Sequence, residues 1–283
     1  MLDLYARAVV GALPVIGGAS DGTLPDLAPS AEGIKADRDR LAAYDRVCGF
    51  RLRDELPSTY LHVLAFPLAL RLIVDRAFPF PALGLVHLRN RIVQLRPVRL
   101  GEALDLDVHA ERLAEHPKGR TVDVVGRAHV DGELVWEDVS TYLAKGRGNG
   151  AAAADDDGPE VPDDLPERAR WDVPGDIGRR YAGVSGDRNP IHLHPLTAKA
   201  FGLRAPIAHG MWVKARCLAA LEDVLPGAYT VDVRFRAPLF VPRTVIFAGG
   251  EGGFAVRSRD GKPHLEGIVS ERLRRAGRRR SGP

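Results

Sequence analysis

YAGVSGDRNPIHLHPLTAKAFGLRAPIAHGM, from Tyr181 to Met211, holds an aspartate and a histidine, Asp187 and His192, five residues apart across a proline turn. Asn189 precedes Pro190, whose ring clashes with a helical backbone one residue earlier, so the chain turns there and then restarts. Such a turn can bring a carboxylate beside an imidazole. The pairing would fix the ring's tautomer and favour its proton-loaded form, which suits a group that takes a proton from water and returns it elsewhere. Asp187 and His192 are therefore the candidate catalytic residues. Asn189 either orients that pair or a substrate, or only shapes the turn.

Seventeen residues past His192, His209 and Gly210 open an apolar run to Leu225 interrupted only by Lys214, Arg216, Glu222 and Asp223. A helix apolar almost all round is a buried helix. With Gly210 in its first turn, a free backbone N–H and the helix dipole would face any carbonyl oxygen placed there, and no side chain would obstruct the approach. That is an oxyanion hole in outline, and it makes Gly210, with Asn189, a candidate substrate-binding residue.

The two motifs together, SGDxNPIH from Ser185 to His192 and PIAHGM from Pro206 to Met211, resemble the MaoC-like family of (R)-specific enoyl-thioester hydratases and 3-hydroxyacyl-thioester dehydratases. The resemblance implies that Asp187 and His192 hold a catalytic water while the Gly210 amide polarises a thioester carbonyl. It implies reversible hydration of trans-2-enoyl thioesters in fatty-acid metabolism, with an acyl-CoA or acyl-carrier-protein thioester as partner and no cofactor or metal. Two other functions stay open: an acyl-thioester hydrolase, and a non-catalytic acyl-thioester-binding subunit.

Between Gly146 and Pro166 the chain reads GRGNGAAAADDDGPEVPDDLP, small residues, acids and prolines without apolar periodicity, which is the composition of a linker. Either side of it one plan recurs. Arg96 to Glu102 precede a strand-like Ala103 to Val108, and Asp131-Gly132 separates two later Val-rich runs; Ala237 to Arg243 precede Thr244 to Ala248, and Asp260-Gly261 separates the last two runs. Tyr229, Val231, Val233 and Phe235 alternate with polar neighbours in the period of a half-buried strand, and Asp-Gly is a strong hairpin signal. Each half thus reads as a helix followed by three or more antiparallel strands, the first half's helix at about Leu61 to Val74. An apolar sheet face needs covering, and one buried helix per half can do it. The expected class is α+β, and the resemblance names it a double hot-dog: two antiparallel sheets, each wrapped on a central helix. The expected divisions are 1–145, a linker at 146–166, 167–272, and a basic tail at 273–283.

The first half's counterpart region, Tyr44 to Tyr60, has neither DxNPxH nor HGM. Its expected role is to complete the core and shape the acyl pocket, with Leu64, Phe66, Phe78, Phe80 and Leu83 as candidate lining, or else as ordinary core. Acyl chain length belongs to this half.

Other residues receive plainer readings. His194 and His209 could join His192 and Asp187 around a metal ion, but Pro195 starts a short helix ending near Gly202, and His209 is expected to pack or cap at the start of the buried helix. Tyr181 sits on the apolar stripe of a helix beginning near Pro174. Lys214, Arg216 and Arg204 are left without a role.

Composition excludes several classes. The 283 residues are 45% hydrophobic, enough for a substantial core, and the formal charge is +3. Six arginines lie in the last twelve residues; without them 34 bases face 37 acids, so the body is mildly acidic and offers no nucleic-acid surface. The greasiest stretch, Ser58 to Val74, contains His62, Pro67 and Arg71, which argues against a membrane span. The first residues make a poor signal peptide, and Cys48 and Cys217 have apolar neighbours, as expected of buried thiols in the cytoplasm. A double hot-dog is compatible with both a monomer and a homodimer.

Overall fold

The computed structural model describes residues 23–146 and 158–272. Within the first stretch run β1 (Ser30–Lys35), α1 (Arg38–Cys48), α2 (Ser58–Ile73), β2 (Leu85–Gln94), β3 (Ala103–His116), β4 (Gly119–Val130) and β5 (Glu133–Lys145). The second stretch repeats the plan as β6 (Glu167–Val173), α3 (Ile177–Ser185), α4 (Pro195–Ala200), α5 (Gly210–Ala220), β7 (Tyr229–Phe235), β8 (Arg243–Gly250), β9 (Gly253–Arg257) and β10 (Pro263–Glu271). Each half begins with a strand that the sequence reading omitted. Residues 147–157, about half of the linker, and the whole of the basic tail lie outside the described residues.

The sheet corrects one expectation. There are not two separate sheets but one antiparallel sheet of ten strands in the order β1-β3-β4-β5-β2-β7-β10-β9-β8-β6. Read from either end, the order has the same pattern, so the halves are related by an approximate two-fold at the β2–β7 seam. There Asn90 pairs with Val233 and Ile92 with Val231. The physical reason is that β2 and β7 would each be an edge strand with unpaired N–H and C=O groups, and joining them satisfies both. The omitted strands β1 and β6 form the two outer edges.

Local chemistry sets the elements. Asp37 accepts a hydrogen bond from the Arg40 N–H at 2.9 Å and caps α1, which ends at Gly49 with φ of 86°. Asp131 and Gly132 both have positive φ, 50° and 78°, as a two-residue hairpin between β4 and β5 requires. The second Asp-Gly is different: Ser258 and Lys262 close a longer loop between β9 and β10, in which only Gly261 has positive φ. The buried helices α2 and α5 pack on the strands of their own half-sheets, and α1 packs against α3 so that Tyr44 and Tyr181 stand with ring centroids 6.2 Å apart. Cys48 and Cys217 are buried free thiols. Among the described residues no helix is long and apolar enough to cross a membrane.

Candidate active site

Gly186 ends α3 in the left-handed region, φ 77°, a conformation nearly free of strain only for glycine, and its N–H returns to the Ala182 carbonyl. This delivers Asp187 at the mouth of the next turn. One carboxylate oxygen, Oδ1, accepts from the Asn189 N–H at 3.1 Å, and the Asn189 Oδ1 in turn accepts from the Ile191 N–H at 3.4 Å. The Asn189 side-chain oxygen is therefore engaged in shaping the turn, the plainer of its two readings. Pro190 to His192 form one turn of 3₁₀ helix, which returns the chain so that His192 is buried facing Asp187.

His192 Nδ1–H donates to the Ile207 carbonyl at 2.8 Å. The tautomer is thus fixed by a main-chain oxygen rather than by Asp187, which corrects the sequence reading. Nε2 carries the lone pair and is the ring's basic atom. A second correction concerns charge: burial pushes the His192 pKa below its ordinary value, outweighing the upward pull of Asp187 and of the bond to Ile207. The imidazole is held neutral.

His209 packs rather than caps. Its ring stacks on His192 with centroids 3.6 Å apart and packs against Tyr181 at 4.9 Å, its Nε2–H donates to the Asp187 carbonyl at 3.1 Å, and Nε2 lies 3.7 Å from the Asp187 carboxylate. Its side chain makes no capping bond to α5. Burial, with His192 adding to it, lowers the His209 pKa to about 3. Donor atoms of Asp187, His192 and His209 all lie within 4.8 Å of one another, close enough for a metal ion. The two rings are only 26° from parallel, however, so their in-plane lone pairs do not converge on one point as ligands must. His194 stands apart: it is exposed, and its Nδ1 accepts from the Leu196 N–H at 3.2 Å to cap α4.

Gly210 is the first residue of α5, where a helix leaves its N–H groups unpaired. A Cβ at this position would stand 2.8 Å from the Phe235 ring, so packing favours glycine here. Met211, the next residue, lines a small cavity of about 20 Å³ together with Tyr181, Ser185 and Asp187. Such a volume admits about one water molecule. The far wall comes from the first half: His62, Val63 and Phe66 on α2. Of the five proposed lining residues only Phe66 reaches this cavity; Phe78 is core and packs edge-on against Phe80. Sequence reasoning missed His62 and Val63, and nothing in their spacing points to a site. Lys214 lies buried one turn into α5, and Arg216 covers the Trp171 ring at 4.6 Å.

Comparisons with known proteins bear on the family and the fold. Residues 166–266 match the MaoC like domain. A 3-hydroxyacyl-thioester dehydratase X of Mycobacterium tuberculosis is 37% identical over 268 residues, covering 93% of this chain and 95% of that protein. The crystal structure of HtdX from the same organism superposes with a TM-score of 0.76 at 35% identity, covering 87% of this chain and all of the other. A MaoC-like dehydratase from Phytophthora capsici, at 19% identity over 92% of this chain and 99% of its own, gives a TM-score of 0.72 and shares the fold. With the motif, the hot-dog architecture and a relative aligned along nearly the whole chain, this protein belongs to the MaoC-like dehydratase family.

Proposed function

We propose that this protein is a hydro-lyase of fatty-acid metabolism that adds water to trans-2-enoyl thioesters, giving (R)-3-hydroxyacyl thioesters, and removes it in the reverse sense. The single observation that carries the reading is a one-water cavity lined by Asp187 and by Met211, the residue after Gly210 in α5, with a neutral His192 next to Asp187.

In this reading the thioester oxygen rests on the Gly210 N–H, whose bond strengthens as the oxygen takes on enolate charge; that is where an amide at a helix start lowers the barrier most. Water held by Asp187 and His192 attacks C3 as one of the pair takes its proton, and C2 receives a proton on the same face. Proton count balances, and no covalent intermediate is needed. His192 enters this step as a base because Ile207 leaves Nε2 unprotonated. Asn189 serves the pair by holding the Asp187 turn. The carrier is coenzyme A or an acyl carrier protein, and the acyl chain runs toward α2 of the first half.

Loss of the conjugated enoyl absorbance on incubation with trans-2-enoyl-CoA or enoyl-carrier-protein thioesters tests the reading. Asp187→Asn and His192→Ala are expected to lower turnover by about 10²- to 10⁴-fold with the fold intact, the usual contribution of a positioned acid or base. Full activity in both variants, or release of free thiol with the double bond unchanged, overturns it.

A further inference from the structure

The first half lacks the Asp–His motif, yet it brings its own imidazole–carboxylate pair to the same cavity. His62 on α2 lines the cavity with Asp187, and its Nδ1 lies 2.5 Å from Oδ2 of Asp138 on β5. The two residues are 76 positions apart in sequence. Both are largely buried, with side-chain exposures of 12% and 6%.

A chain of hydrogen bonds dictates where the protons sit. Lys214 Nζ is wholly buried among three oxygens, the Asn90 carbonyl at 3.1 Å, Asn90 Oδ1 at 2.5 Å and the Val231 carbonyl at 3.3 Å, so it donates to all of them. Asn90 Oδ1 must then accept, which turns its Nδ2 toward Ser140 Oγ, at 3.0 Å, and toward Asp138 Oδ1. With an amide donor on one oxygen, Asp138 stands as an acceptor for His62 as well. Nδ1 of His62 therefore carries hydrogen, and Nε2 is its remaining polar atom. The pattern matches what Ile207 does to His192 across the cavity.

Other groups near His62 do not compete for that atom. His87 on β2 is fully buried and held neutral, its pKa lowered to about 3 by burial first and by His62 second, and its ring is occupied by stacking on Tyr142 at 4.5 Å. The Phe66 ring, 6.4 Å from His62 between centroids, offers no polar atom. Among the cavity walls, Asp187 is the charged group that faces His62.

We propose that His62, held by Asp138, is a third water-binding residue of the active site: Nε2 accepts the hydrogen that the attacking water keeps, the water's other hydrogen going to whichever of Asp187 and His192 acts as the base, and so sets which lone pair faces C3. The inference rests on the hydration reading above. In the dehydration sense the same atom accepts from the departing hydroxyl. The half that lost the motif then supplies orientation to the chemistry, not only a wall for the acyl chain.

The test compares His62→Phe, His62→Gln and Asp138→Asn with the unaltered protein on trans-2-enoyl-CoA thioesters of short and long chain, with thermal melting to confirm folding. His62→Phe is expected to lower kcat about 10- to 100-fold, the usual cost of a misoriented reactant, with KM within threefold and the loss equal at every chain length. His62→Gln, whose carboxamide reaches the Nε2 position, should recover about tenfold of that, and Asp138→Asn should lower kcat while sparing KM. If His62→Phe does not fold, the loss of kcat with KM spared in Asp138→Asn, set against a near-normal kcat in His62→Gln, carries the test. A changed KM or chain-length preference at constant kcat would overturn the proposal in favour of simple acyl contact, and unchanged kinetics in all three variants would also overturn it. These failures leave the hydration reading intact so long as the unaltered protein hydrates and Asp187→Asn does not; absence of hydration by the unaltered protein defeats both.

Discussion

Gly178 on α3 lies so close to the His192 carbonyl that a Cβ at 178 would stand 1.9 Å from that oxygen. Real Cβ atoms do not approach an oxygen that closely, so the turn bearing His192 seats against the helix only because residue 178 has no side chain.

Replacing Gly178 with alanine must therefore displace backbone rather than a flexible side chain. Enoyl-thioester hydration by Gly178→Ala should fall at least about tenfold, since displacements of the order of an ångström commonly cost that much or more. A side-by-side assay with Gly183→Ala, on the same helix where a Cβ would meet nothing within 4 Å, supplies the control; equal activity in the two variants would refute the role given to Gly178.

Gly210→Ala probes the amide at the start of α5. The new methyl group would press on Phe235, whose ring is itself backed by His87 at 4.7 Å, so the relief must come from the helix start. We expect kcat/KM to drop by about 10²-fold, comparable to losing one oxyanion-hole donor, with Asp187 and His192 still in place. Retention of full activity would show that the amide does not meet the thioester oxygen.

The acid limb of activity follows from His192. Burial, the largest influence, puts its pKa below 6.5, and a base must be unprotonated to act. Activity should hold as pH falls through 6.5 and decline only below it. An acid limb of kcat/KM centred above pH 6.5 would contradict the neutral, buried imidazole, bearing in mind that the midpoint belongs to His192 and Asp187 jointly.

Stability should respond to acid for the same physical reason. His87 and His209 have folded pKa values lowered to about 3, chiefly by burial, against 6.5 when exposed. Between pH 6.5 and 3 the unfolded chain binds protons that the folded chain refuses, so stability falls as pH falls, with a limiting slope of about 1.4 kcal/mol per pH unit for each such histidine. Denaturant midpoints at pH 6.5, 5.5 and 4.5 measure it. His87→Phe should flatten the trend, and an unaltered slope would mean that His87 is not buried neutral.

What could be read in the sequence was what lies close along the chain. Asp187, Asn189, Pro190 and His192 form one turn, Gly210 starts one helix, and Tyr229 to Phe235 alternate as one strand, so spacing alone encodes them. The seam between β2 and β7 was not legible, because pairing leaves no periodicity beyond that of each strand. β6 alternates Ala169, Trp171 and Val173 and could have been found, but β1 has only Ala31 and Ile34 as apolar positions. The acceptor that fixes His192 is a main-chain carbonyl, which any residue at 207 would supply. His62 and Asp138 meet across 76 residues through the packing of a helix on a sheet, and no local pattern announces that.

The pairing of β2 with β7 also governs what each half could be by itself. Severed from its neighbour, the second half would bare the β7 border, whose Val231 and Val233 are wholly shielded in the intact chain, together with a row of unanswered amides and carbonyls. It would also forfeit Val63 and Phe66 as a lid over Asp187. A fragment so exposed has two routes, self-association through that border or aggregation, whereas in the intact chain both walls of the Asp187 cavity come from one polypeptide.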